Sequence, residues 1–93
     1  MKIKELLDSK DKWCKGYISL DDEDNYVDVD SIKAVKWCLL GALIKCYQGD
    51  HNFSSIRDRL LNNVHYLGHK NMVTFNDLLG YESVIKLVTD LDI

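Results

Sequence analysis

Proline is absent from this 93-residue chain, and with 46% hydrophobic and 29% charged residues nothing in it marks a linker, so residues 1–93 read as one globular domain with a modest core. Cysteine is scarce: Cys14, Cys38 and Cys46 are odd in number and lack C-x-x-C spacing. That excludes a secreted disulfide scaffold and makes reduced thiols the expectation. No apolar run approaches the roughly 18 residues that span a bilayer, because Lys33, Lys36 and Lys45 interrupt the best candidate. The start, Met1-Lys2-Ile3-Lys4-Glu5, lacks the apolar stretch of a secretory signal, and the chain reads as cytoplasmic. A basic excess is missing too. The net charge of −3 argues against direct nucleic-acid binding through phosphate neutralisation.

The acidity that is present is local. Asp21, Asp22, Glu23, Asp24, Asp28 and Asp30 fall within ten residues that contain no lysine or arginine, which leaves the rest of the chain with twelve basic and nine acidic residues. Ile3, Leu6 and Leu7 have helical spacing and predict a short helix ending near Lys10. Aromatic and β-branched residues in Trp13–Leu20 and Tyr26–Val29, separated by the polar segment 21–25, predict a small β-hairpin over about 16–29.

From Ile32 to Tyr47 apolar residues occupy nearly every face, which predicts a central buried helix over 32–47, capped by Asp30 or Ser31 and stopped at Gly49. Gly41 and Ala42 within it are small enough for another helix to approach. Ser54 is placed to cap a third helix with Ile56, Leu60, Leu61, Val64 and Leu67 on one face before Gly68. A short helical turn or extended piece over Val73–Leu79 precedes Gly80, and Val84, Leu87, Val88 and Leu91 predict a last helix. The expected fold is mainly α (α+β): about four helices packed around helix 32–47, with the hairpin inserted after the first.

Three segments then stand out: Trp13-Cys14-Lys15-Gly16, Trp37-Cys38-Leu39-Leu40-Gly41-Ala42 and Phe75-Asn76-Asp77. In this order they resemble the W-x-x-G, W-C-L-x-G-A and W/F-N-D motifs of a family of small bacterial and phage proteins of unknown function. The resemblance covers nearly the whole chain and implies a bacterial or mobile-element origin. Phe75 departs from it, standing where tryptophan is common.

Several chemistries can be assembled from these residues. Cys38 with His65 or His69 and Asn76 has the residue types of a thiol hydrolase. A cysteine predicted well inside a buried helix is better explained as packing, because a reactive thiol needs an electropositive, partly exposed site. Cys14, Cys46, His51, His65 and His69 offer metal-ligand types, but Gly68 separates the His65/His69 pair and no second close pair exists, so no metal and no cofactor are expected. A calcium loop starting at Asp22 fails, since it needs glycine where Val27 stands and glutamate where Lys33 stands. Asn76-Asp77 reads as a cap or turn near the last helix, with a polar ligand site as the sharper alternative.

What remains is a surface. Asp21, Asp22, Glu23, Asp24, Tyr26 and Asp28, with Tyr17 nearby, are the candidate partner-binding residues: carboxylates steer toward a basic protein and tyrosines anchor it. The expectation is a protein-binding module and not an enzyme. Its specific form is a stoichiometric inhibitor of the anti-defence or anti-CRISPR type, acting on a basic nucleic-acid-binding effector without contacting nucleic acid or membrane. The alternative is a small-molecule or nucleotide binder with a pocket between the central helix and Phe75-Asn76-Asp77, and a hydrolase using Cys38 comes third.

Overall fold

In the computed structural model, which describes residues 1–93, the N-terminal apolar triplet forms a helix shorter than its pattern predicts. Helix α1 covers Ile3–Leu6, and its first turn is tied by the Glu5 carboxylate, which accepts from the Lys2 amide at 2.8 Å. Ile3 and Leu7 are fully buried. The chain then leaves the helix, and residues Lys10–Lys12 form a separate 3-10 turn instead of extending α1 to Lys10.

The expected hairpin is replaced by a different pairing. Strand β1 (Ser19–Leu20) runs antiparallel to strand β2 (Lys36–Trp37), with Ser19 opposite Trp37 and Leu20 opposite Lys36. Only one bridge, Leu20 to Tyr26, remains of a hairpin over 16–29. Val27 and Val29 turn inward to pack on the core, and the Ser19 hydroxyl donates to the Val27 carbonyl. This segment therefore lies against the fold as a loop. On its other edge β2 meets Trp13 through a parallel bridge to Trp37, so Trp37 is clasped from both sides.

The central helix is correspondingly shorter. Helix α2 spans Leu39–Tyr47, not 32–47, and neither Asp30 nor Ser31 caps it. The backbone of residues 36–38 is already engaged: the Cys38 amide donates to the Ile18 carbonyl at 3.1 Å and the Val35 amide to the Leu20 carbonyl at 2.9 Å. Ile32, expected inside the helix, is 99% exposed. Cys38 is the N-cap, its sulfur accepting from the Gly41 amide at 3.4 Å. Leu39, Ala42 and Leu43 are fully buried, so the expectation of a central helix holds for this shorter span.

Helix α3 (Phe53–Tyr66) buries Leu60 and Val64, with Asn52 in place of Ser54 at its N-cap. Helix α4 (Met72–Leu79) is a full helix, opened by the Asn71 side chain accepting from the Thr74 amide at 2.8 Å. Gly80, at φ 85°, turns the chain sharply into α5 (Tyr81–Leu91), a conformation that costs glycine little. Val84 and Val88 of α5 complete the core, together with Phe75 of α4. The termini are joined: the Lys4 amide donates to the Ile93 carbonyl at 3.0 Å, and the Lys2 and Lys4 ammonium groups hold the Asp92 carboxyl down at about 2. The architecture is thus mainly helical, five helices and one two-stranded antiparallel sheet. No helix is long and apolar enough to cross a membrane.

Gly41 is small for a reason other than helix packing. A Cβ built there would stand 2.1 Å from the Ile18 carbonyl oxygen, so the strand-leading backbone, not a second helix, occupies the space. Alanine normally stabilises a helix relative to glycine by roughly 0.5–1 kcal/mol. Here Gly41→Ala should instead destabilise the protein by about 1–3 kcal/mol, as overpacked cores do. Urea unfolding measures this, and a more stable Gly41→Ala variant would contradict the close approach.

Candidate functional site

The three motif segments meet at one side chain. Asn76, on α4, is fully buried. Its Oδ1 accepts from the Trp13 indole Nε1–H at 2.7 Å and from the Leu39 amide at 2.9 Å. Its Nδ2 donates to the Cys14 carbonyl at 3.1 Å and to Asp77 Oδ1 at 2.9 Å. Asp77 Oδ1 in turn accepts from the Gly16 amide at 3.2 Å. A primary amide has two acceptor lone pairs and two N–H donors, and here all four are used. Asn76 is therefore a cap, as its residue type suggested, but for the first turn of α2 and not for the last helix. No valence is left for a ligand.

Around this hub lie two of the three thiols. Cys14 and Cys38 are buried, and with Leu20 they form a small cluster of their own. Burial pushes the Cys14 thiol up to about 12, with the neighbouring Cys38 adding to the effect. Cys38 is also raised by burial, although the Gly41 and Leu40 amides oppose the shift. The position of Cys38 at a helix N-terminus differs from the expectation of a cysteine inside the helix, yet desolvation outweighs the amides. Neither candidate histidine reaches it: His65 Nε2 contacts the Lys70 carbonyl at 3.0 Å, and the His69 ring packs edge-on against Phe75 at 5.4 Å. No group of three His, Cys, Asp or Glu side chains converges as metal ligands.

Two cavities are present. Where the alternative small-molecule reading puts a pocket, between α2 and residues 75–77, there is a shallow space of about 80 Å³ bounded by Gly16, Tyr17, Ile18, Cys38, Val73 and Asp77. The larger one, about 480 Å³, lies between α3, α4 and α5, with Phe75, Leu87 and Leu91 among its lining and Tyr66 at its edge. Its signal in the sequence was weak, since Tyr66, Leu67 and Leu79 sit at helix ends where apolar periodicity fades.

The acidic segment forms an ordered surface loop. Asp21 spends its carboxylate on the loop itself, accepting from the Glu23 and Asn25 amides at 2.9 and 2.8 Å. Asp24, at φ 62°, accepts from the Lys36 ammonium at 2.6 Å. Asp30 lies 4.0 Å from Lys45. Asp22, Glu23 and Asp28 are exposed and form no ion pair, and Tyr26 and Tyr17 stand 59% and 57% exposed. The Trp37 indole reaches the Val29 carbonyl at 3.4 Å, fastening the far end of the loop to β2.

Comparison of the chain with family profiles, with curated proteins and with solved structures returned no match. The Asn76 hub is structural, and its removal should show as lost stability. Asn76→Leu leaves the Trp13 indole, the Leu39 amide and the Cys14 carbonyl without partners, each costing about 1–3 kcal/mol. A loss of about 3 kcal/mol or more is expected in urea unfolding; a loss below about 1 kcal/mol would show that water replaces the amide freely.

Proposed function

We propose that the protein is a protein-binding module that presents the 21–30 loop to a basic partner. The observation that carries this reading is the division of labour among the carboxylates. Asp21 and Asp24 hold the loop in shape, while Asp22, Glu23 and Asp28 stay free of cationic partners. A loop fixed before binding loses little conformational freedom on association, which favours affinity. Unpaired charge on such a loop raises the encounter rate with an oppositely charged surface. Tyr17 and Tyr26 supply apolar contact area beside it.

The narrower form of the proposal is a stoichiometric inhibitor of the anti-defence or anti-CRISPR type, carried by a phage or mobile element. It rests on the motif resemblance and on the small size and local acidity of the chain. The partner is then a nucleic-acid-binding effector whose basic groove the loop occupies, and no catalytic residue is needed. A small-molecule binder is the second reading, favoured by the 480 Å³ cavity, whose volume falls in the range of ligand pockets.

The two readings separate in one experiment. The protein is immobilised and exposed to host lysate at low and high salt, beside a triple variant carrying Asp22→Asn, Glu23→Gln and Asp28→Asn. Capture of a basic protein that salt disrupts and the triple variant loses about 10-fold or more supports the loop. Equal capture by the triple variant contradicts it, and a small molecule retained by both forms supports the cavity. Asp21 and Asp24 are left intact because their carboxylates shape the loop.

A further inference from the structure

Cys14 and Cys38 are neighbours by backbone geometry, not only by burial. Trp13 and Trp37 form a parallel bridge, and the Cys14 amide donates to the Trp37 carbonyl at 3.2 Å. The backbone at this bridge is extended at Trp13 (φ −111°, ψ 146°) and at Cys38 (φ −79°, ψ 178°), and Cys14, Cys38 and Leu20 pack as one buried cluster. Side chains alternate across a strand, so the two residues that follow a paired couple point together to the opposite face. Neighbouring strands run about 4.7–4.9 Å apart, and a disulfide spans Cα separations of roughly 4.4–6.8 Å. The only hydrogen bonds of the two sulfurs are weak ones, Cys14 Sγ donating to the Tyr17 carbonyl and Cys38 Sγ accepting from the Gly41 amide, each at 3.4 Å.

Cys38 also lines the 80 Å³ cavity with Gly16, Tyr17, Ile18, Val73 and Asp77, the space nearest to the pair. Cys46 has no such company, standing half-buried near the far end of α2. We propose that Cys14 and Cys38 are a reversible oxidation site for hydroperoxides, closing to a disulfide that encloses the acidic loop. The Cys38 sulfur attacks one peroxide oxygen; the O–O bond breaks, the thiol proton passes to the departing hydroxide, the first water leaves, and Cys38 becomes a sulfenic acid. The Cys14 sulfur then attacks the Cys38 sulfur, the S–O bond breaks, and the second water departs with the Cys14 proton. Two thiols and one hydrogen peroxide give one disulfide and two waters.

Burial keeps both thiols protonated near neutral pH, so the site responds to sustained oxidant and not to a brief pulse. The bond closes residues 14–38 into a covalent loop that contains all of the 21–30 segment and ties it to the start of α2. Its formation does not depend on the binding reading.

The test uses the folded chain with Cys46→Ser, treated with millimolar hydrogen peroxide and digested with trypsin without reduction. Expected are the loss of two hydrogens in intact mass and a cross-linked pair of peptides, Trp13–Lys15 with Trp37–Lys45, both reversed by dithiothreitol. The oxidised form should melt roughly 10 °C higher, as closing a loop of this size constrains the unfolded chain. A sulfinic acid on Cys38 without a cross-link, a link between molecules, or no reaction while the urea-unfolded chain oxidises would each overturn the proposal. So would a cross-linked form that melts at or below the reduced one, because its two sulfurs would not face each other in the native fold.

Discussion

Three segments that lie far apart in sequence and close in space are tied through the carboxamide of Asn76. Its oxygen accepts from Trp13 and Leu39 and its nitrogen donates to Cys14 and Asp77, joining the N-terminal turn, the start of α2 and α4. The constraint is severe because the group is fully buried. An unsatisfied polar atom in such a place costs about as much as several ordinary contacts contribute, so neighbouring segments must arrive in register. Only a side chain with two acceptors and two donors at this length fits all four partners, and asparagine is that side chain.

The same constraint explains the second motif. Leu39 offers its amide to Asn76, Cys38 offers its sulfur to the Gly41 amide, and Gly41 leaves room for the Ile18 carbonyl. Three neighbouring positions thus serve three different neighbours. Trp37 adds a fourth link, because its backbone pairs with Ser19 on one side and Trp13 on the other while its indole holds the end of the acidic loop. The loop that is proposed to bind is therefore anchored on the most constrained part of the fold, which is what a preorganised surface requires.

How much of this was legible depends on the range of the interaction. The apolar faces of α3 and α5 were readable because Leu60, Val64, Val84, Leu87 and Val88 repeat at helical spacing. The start of α2 was not, because its N-cap is a cysteine and its Leu39 amide is held by a residue 37 positions away, whereas the local signal for a cap is Asp, Ser or Asn immediately upstream. Asp30 and Ser31 met that local criterion, but residues 36–38 had been claimed by pairing with 18–20. The strand at 26–29 failed for a related reason: Leu20 had two candidates, and the backbone of Lys36 took most of the pairing while Val27 and Val29 turned to the core. In the acidic segment the charge was legible, but not which carboxylates were already occupied. Asp21 and Asp24 differ from Asp22 and Glu23 only in turn geometry, which composition does not record.

The central claim, that Asn76 closes the fold by capping α2 from a distance, is tested most directly at the Leu39 amide. An amide in the first turn of a helix has no intrahelical acceptor and ordinarily exchanges its proton quickly with water. If Asn76 Oδ1 holds it as the structure has it, at 2.9 Å in a buried site, native-state hydrogen exchange followed by NMR should show Leu39 protected as strongly as the interior amides of α2. Exchange of the Leu39 amide at the rate of an exposed first-turn residue, with the rest of α2 protected, would contradict the account.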